Sequence, residues 1–236
     1  MRAVVGSDLE LAHRLATAAG ELALPFFRTR IAHEMKADGT PVSEVDVLVE
    51  QLLLGMLTAA RPHDAIVTEE SGASGAPEAA RRWIIDPLDM THLFIAGERG
   101  WATHIALERE GAVEIAVITR PTVHQRWWAH RGHGSFRSDG RAPMATSTRL
   151  RDSTTAALHE ARVSGFAPAD SRARITLSER AHWQSEELCI IGALAEGRLD
   201  VVVDDGGKVW DQAPEVLIVE EAGGTFCDRR AASASI

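Results

Sequence analysis

Trp83-Ile84-Ile85-Asp86-Pro87-Leu88-Asp89-Met90-Thr91-His92-Leu93-Phe94 carries an apolar run into a pair of acids and out again. Trp83 to Ile85 predict the end of a buried strand. Asp86 follows at once, Pro87 stops the ladder and fixes φ, and Asp89 arrives three residues after the first acid. A turn at Pro87 lets both carboxylates point at one spot, from a strand end and a helix start. Two carboxylates that close repel unless a cation sits between them, and oxygen-only ligands suit Mg²⁺. A plainer reading fits the same residues: Asp86 begins a turn and Asp89 caps the next helix.

Two other stretches bear on that choice. Val67-Thr68-Glu69-Glu70-Ser71-Gly72 places paired acids at the end of a short strand, Ala65 to Val67. Val209-Trp210-Asp211-Gln212-Ala213-Pro214 puts an acid at a helix start, and that helix runs to Glu221-Ala222-Gly223-Gly224. Taken together, the three resemble the inositol monophosphatase family of Mg²⁺-dependent, lithium-sensitive phosphatases. Its signatures are an E-E-S/N acid pair, a W-I-[IV]-D-P-[IL]-D-G-T-x-x-F loop and a W-D-x-A-A…E-A-G-G helix. All occur here in that order, from about Lys36 to Gly224. The resemblance implies an α/β (α+β) fold, a layered αβαβα sandwich.

The chain has 236 residues, enough for one large α/β domain with an N-terminal half to about 145 and a C-terminal half from about 146. Its 34 acidic against 25 basic residues give a net charge of −9, which argues against nucleic acid or an anionic membrane as partner. That charge also makes a phosphate substrate awkward unless metal ions reverse the sign locally. Cys189 and Cys227 read as small buried hydrophobes, which points to a reducing compartment. No run approaches membrane-spanning length and the N-terminus is too poor in apolar residues for a signal peptide, so a cytoplasmic protein is expected.

Along the chain, Ser7 with Glu10 makes a capping box, and Leu11, Leu15, Leu22 and Phe26 predict a helix over about 8–28. Ser43 caps a second helix with the stripe Val45, Leu48, Val49, Leu52 and Met56. Residues 72–77, rich in Gly, Ala and Ser, read as a mobile linker. Beyond Phe94 the pattern turns to strands: 101–109 and 112–119 joined at Glu110-Gly111, then 125–130. Further expectations are a strand near 155–159, helices near 170–180 and 185–196, a strand at 199–203, a helix from about Asp211 and a strand from 225. The family continues for another strand or so beyond Cys227, which leaves packing at that end open.

Phosphate monoester hydrolysis needs an activated water, neutralised phosphoryl oxygens and a stabilised leaving alkoxide, and two Mg²⁺ ions roughly 3.5–4 Å apart supply all three. By the resemblance, one ion lies among Glu69, Asp86 and the backbone carbonyl of Leu88, and a second among Asp86, Asp89 and Asp211. Asp211 by itself would read as a helix cap. Thr91 matches a threonine that, with Glu69 or Glu70, orients the attacking water. Asp46 matches an acid that holds this threonine and contributes to a weaker third metal site; as a residue of helix two it equally fits a solvated charge completing the Ser43 cap. Lys36 matches a lysine near metal and phosphate.

Met90 stands where the family has glycine. The N–H groups of Met90 and Thr91 should face the phosphate, and methionine permits neither positive φ nor close anion approach freely, so a crowded or reshaped pocket is expected. Pro214, in place of alanine, is tolerated in a first helical turn. Asp204 matches a position that binds a hydroxyl or amine of the leaving group. Glu187 lies where histidinol-phosphate-selective relatives have an acid, though Glu186-Glu187 also fits a charged helix start. Gln125-Arg126-Trp127-Trp128-Ala129 resembles histidinol-phosphatase relatives of the actinobacterial type. The reading therefore leans to an amine-bearing ester such as histidinol phosphate. Inositol, sugar or cyclitol phosphates are the alternatives, as is a catalytically weakened member acting as a binding or regulatory protein. The ten histidines form no zinc motif; His92, His130 and His133 read as solvated. A homodimer is usual in the family.

Overall fold

The computed structural model describes residues 2–76, 78–139, 147–185 and 189–227, with 2–7 described as helical backbone. The first helix, α1, is Arg2–Ala23, so Ser7 lies within it rather than at its cap. It ends earlier than the periodicity predicts because Pro25 opens a separate tight turn, Leu24–Phe26. A hairpin of β1 (His33–Met35) and β2 (Pro41–Ser43) leads into α2, Glu44–Ala60. Ser43 caps α2 as expected: its hydroxyl accepts from the N–H of Val45 and Asp46, and the Asp46 carboxylate accepts from the Ser43 N–H at 2.8 Å.

The central sheet then forms from β3 (Ala65–Thr68), β4 (Gly72–Ser74), β5 (Arg81–Asp89), β6 (Ala102–Arg109), β7 (Ala112–Arg120), β8 (Gln125–His130), β9 (Gly134–Asp139) and β10 (Thr148–Arg149). Its order is β10-β9-β8-β7-β6-β5-β3-β4. Every neighbouring pair is antiparallel except β3 with β5. The Gly72 stretch is thus an edge strand on β3, not a linker: backbone pairing with Ile66 to Thr68 outweighs its weak composition. The β6–β7 turn falls at Glu110-Gly111, with φ of +52° and +81°, the twist that a two-residue hairpin needs.

Both faces of the sheet are covered, which is why Trp83-Ile84-Ile85 reads as a continuous apolar run. Trp83 and Ile85 meet Leu15 of α1 and Val49 and Leu53 of α2. Ile84 faces the other way, onto Ala213 of α6 (Val209–Ala222). Trp127, Ile118 and Ala116 pack there with Leu217, Ile218 and Ile191. Beyond α6 and α5 (Ile190–Ala195) lies a parallel three-stranded sheet, order β12-β11-β13, of His182–Trp183, Arg162–Gly165 and Val201–Val203. Helix α3, Thr91–Ala96, follows the Asp89 end of β5, and α4, Arg172–Arg180, flanks β12. Helix pair, sheet, helix pair, sheet, helix: the layers follow the expected αβαβα order.

Four expectations fail locally. Residues 155–159 form no strand; a tight turn at Leu158–Glu160 precedes β11. Helix α5 starts at Ile190, not near 185. Thr225 to Cys227 are not in a strand, and Cys227 is exposed rather than buried, while Cys189 is buried. Among the described residues no helix is long and apolar enough to cross a membrane.

Candidate active site

Strand alternation alone would send Asp86 and Asp89 to opposite faces of the sheet. The β5–β6 register prevents this: Asp86 pairs with His104 and Asp89 with Ala102, so three steps on β5 match two on β6. That extra residue is a bulge at Pro87-Leu88, and it turns both acids toward one side. It is pinned by Thr103, whose hydroxyl donates to the Pro87 carbonyl at 3.0 Å, and by the Leu88 N–H donating to Asp86 Oδ1 at 3.0 Å. Asp211, in the first turn of α6, completes the group: Asp86, Asp89 and Asp211 each offer an oxygen within 4.8 Å of the others. Asp211 also accepts from the Lys208 N–H at 2.6 Å, so its capping role and its place in the cluster coexist.

The electrostatics of this cluster are those of a cation site. Asp86 is 2% exposed, and burial pushes its carboxyl well above the usual carboxylate range, with the charges of Asp89, Glu69 and Asp211 adding to the push. Burial raises Asp211 as well, against the bond from Lys208. Among the described residues no lysine or arginine pairs with any of the three; the one basic neighbour is His104, its Nε2 3.4 Å from Asp89 Oδ2. Three converging hard oxygen donors without a protein cation fit a divalent ion of the Mg²⁺ type.

Around the cluster stand the other candidates. The Thr91 hydroxyl lies 2.7 Å from Asp46 Oδ1 and 3.1 Å from the Leu88 carbonyl. Asp46 is fully buried, held by the Ser43 N–H and hydroxyl, and burial raises its pKa against those bonds. Lys36 Nζ bridges Glu69 at 2.8 Å and Glu70 at 2.7 Å. Burial raises Glu70; the Lys36 bond opposes this and the Glu69 charge adds to it. Glu69 therefore sits beside the aspartates but is paired with Lys36, outside the converging group. Glu187 lies outside the described residues.

A cavity of about 310 Å³ opens next to the cluster, bordered by Asp89, Met90, Asp204 and Asp211. Asp204 holds its own loop by accepting from the Gly206 N–H at 3.0 Å, and Gly207 leaves room beside it: a Cβ there would lie 2.6 Å from Asp204 Oδ2 and push that carboxylate aside. Met90 has φ +60° and ψ +47°, the left-handed conformation that a glycine would take without penalty. Its side chain packs on the core and borders the cavity. Met90→Gly should leave stability within about 1 kcal/mol, relief of φ strain offsetting the greater freedom of the unfolded glycine. It should raise kcat/KM for phosphate release several-fold; an unchanged rate discards the crowding.

Three ionisable cavity residues are absent from the sequence reading: His104, Arg120 and Glu215. His104 was findable as the cross-strand partner of Asp86 once β5 and β6 were paired, and Glu215 as one helical turn beyond Asp211. Arg120, 6% exposed, donates Nη1 to the Gly100 carbonyl and gives no local signal. His92 is exposed, as expected.

The inositol monophosphatase family model matches residues 7–233. This chain belongs to that family. Members are metal-dependent phosphoric monoester hydrolases, and this chain carries in Asp86, Asp89 and Asp211 a group of acids that could hold a metal ion. A histidinol-phosphatase of Streptomyces coelicolor is 35% identical over 93% of this chain and 85% of its own length. An inositol monophosphatase structure from Zymomonas mobilis superposes with a TM-score of 0.77 at 30% identity, covering 94% of this chain and 86% of that one. A Streptomyces griseus protein named glucose-1-phosphate thymidylyltransferase is 49% identical over 95% of this chain and 86% of its own length. That transferase name does not fit the phosphatase family to which so similar a chain belongs.

Proposed function

We propose that this phosphatase cleaves a small phosphate monoester with an amine in its leaving group, of which histidinol phosphate is an example, using two or three Mg²⁺ ions. The observation that carries the metal-dependent chemistry is the convergence of Asp86, Asp89 and Asp211. Those three, with Glu69 and the Leu88 carbonyl, would hold the ions. When bound, such ions neutralise phosphoryl oxygens and acidify water.

The chain's own residues then have separable tasks. Asp46, anchored by Ser43, fixes the Thr91 hydroxyl; with one proton and two acceptors in reach, that hydroxyl is locked in direction and keeps lone pairs free to accept from water. Glu70, whose carboxyl burial makes more basic, stands beside Glu69 as the group to take the water's proton. Lys36 holds Glu69 and Glu70 together against their mutual repulsion. Asp204, and Glu187 by sequence position, favour an ammonium on the leaving group over a neutral hydroxyl. The S. coelicolor histidinol-phosphatase supports the amine reading, while the Z. mobilis enzyme keeps inositol phosphate as the competitor.

Phosphate release from histidinol phosphate, inositol 1-phosphate and a sugar phosphate, with Mg²⁺ and with EDTA, tests this. Magnesium-dependent release fastest from the amine ester is expected, with Asp89→Asn as the inactive control. Fastest release from inositol 1-phosphate would overturn the substrate assignment, and no release from any ester would overturn the activity.

A further inference from the structure

We propose that Glu215 is a specificity-determining residue, which together with Asp204 binds a protonated amine on the leaving group. This rests on the phosphatase reading and deepens it, because nothing in the motifs assigns Glu215 a role.

Glu215 lies four residues after Asp211 on α6, so both project from one face of the helix. It borders the 310 Å³ cavity together with Asp204 and the apolar Ile118 and Ile190. Among the described residues it has no hydrogen-bond or ion-pair partner. Arg120 is the one cation that opposes its burial, yet Arg120 spends a donor on the Gly100 carbonyl and forms no ion pair with it. Burial raises the Glu215 carboxyl well above its usual range, and Asp89, Asp204 and Asp211 raise it further. Glu215 is half-buried and stands outside the buried positions Ala213, Leu217 and Ile218 of α6, so the packing of the helix does not use it. A half-buried carboxylate without a partner carries a desolvation cost, and a cation arriving with the ligand removes it.

The partner's chemistry follows from charge. A hydroxyl satisfies one acceptor but leaves Asp204 and Glu215 repelling each other and the aspartate cluster. A protonated amine donates to both and lowers that repulsion. Asp204 and Glu215 also border a second cavity of about 930 Å³, so the space beside them holds a leaving group of small-metabolite size. Phosphate thus lies at the Asp86 end and the ammonium at the Glu215 end.

The test uses E215Q, which keeps shape and loses charge, and E215D, which keeps charge on a shorter arm. Steady-state rates with Mg²⁺ are measured on histidinol phosphate and on glycerol 2-phosphate. Calorimetry measures histidinol itself, the dephosphorylated amine, binding to the full chain without metal. E215Q should lower the amine-to-polyol ratio of kcat/KM roughly 10–100-fold, mainly through KM, and weaken histidinol binding by a similar factor. E215D should recover part of both, which a merely structural role would not produce. A ratio unchanged within about twofold, or a larger loss on the polyol ester, overturns the assignment. Absence of phosphate release from every ester would instead remove the phosphatase reading, and histidinol binding would still decide the role of Glu215.

Discussion

Asp86→Asn is expected to abolish phosphate release and, in the absence of metal, to make the protein more stable. Asp86 is 2% exposed among like charges, and its carboxyl is held well above the usual range by burial and by Asp89, Glu69 and Asp211. A folded-state pKa above the unfolded value means the folded chain binds the proton more tightly. The stabilisation this gives is full below the unfolded value near 3.9 and is lost as pH rises through the raised value. Metal-free protein at neutral pH therefore carries the cost of ionising Asp86 or of keeping it protonated. Asparagine has no charge to bury and its carbonyl can still accept from the Leu88 N–H. At pH 7.5 with EDTA the variant should gain about 1–2 kcal/mol over the parent, and the gain should shrink as pH falls. Magnesium should raise the Tm of the parent and leave that of the variant unmoved. Phosphate release should fall roughly 10³-fold. A variant less stable than the parent without metal, or one whose Tm still rises with magnesium, would show that Asp86 is not the charge the ion relieves.

How much of this was readable in the sequence divides along physical lines. Several elements that announce themselves locally were found: the Ser43 cap, the Glu110-Gly111 hairpin, the apolar strand ending at Asp86; the Ser7 box was a false signal of the same kind, because the helix extends through it. The three acids were legible because they sit at element boundaries, where a strand end and a helix start leave side chains free of the ladder. What made them converge was not legible. The bulge at Pro87-Leu88 is a property of register between β5 and β6, and nothing in Asp-Pro-Leu-Asp states that the partner strand is one residue short. The Met90 conformation was half-legible: the missing glycine marks a special φ, and the structure shows that methionine adopts it. Glu215 and His104 were missed for one reason. Each lies in an element whose periodicity is set by core packing, and a polar residue in such an element means something once its neighbours across space are known.

Asp8→Ala should be the most destabilising single change outside the apolar core. Read along the chain, Asp8 is an ordinary helix-start acid; in the fold it is fully buried and central to a charged knot. Arg61, at the end of α2, meets it at 2.6 Å, and Arg81, at the start of β5, meets it at 3.0 Å. Arg81 also grips Asp64 at 2.9 Å, and Asp64 accepts from the Trp83 indole at 2.9 Å. Arg109 reaches the same carboxylate at 3.9 Å, so alanine deprives three partly buried guanidiniums of a shared partner, and breaking such pairs costs more than they contribute, because desolvation remains. Arg61 and Arg81 keep roughly a fifth of their side-chain surface in water, at 22% and 18%. The expected loss is therefore about 2–4 kcal/mol, somewhat below that for a fully buried pair. For a chain of this length that is a Tm drop on the order of 5–12 °C. Denaturant unfolding should show the loss as a shifted midpoint with an unchanged slope. Because the knot fixes where β5 enters the sheet, five residues before Asp86, activity at temperatures well below the melt should fall less than stability does. A loss under about 0.5 kcal/mol, within the range of ordinary surface changes, would mean the knot is no more than a surface ion pair.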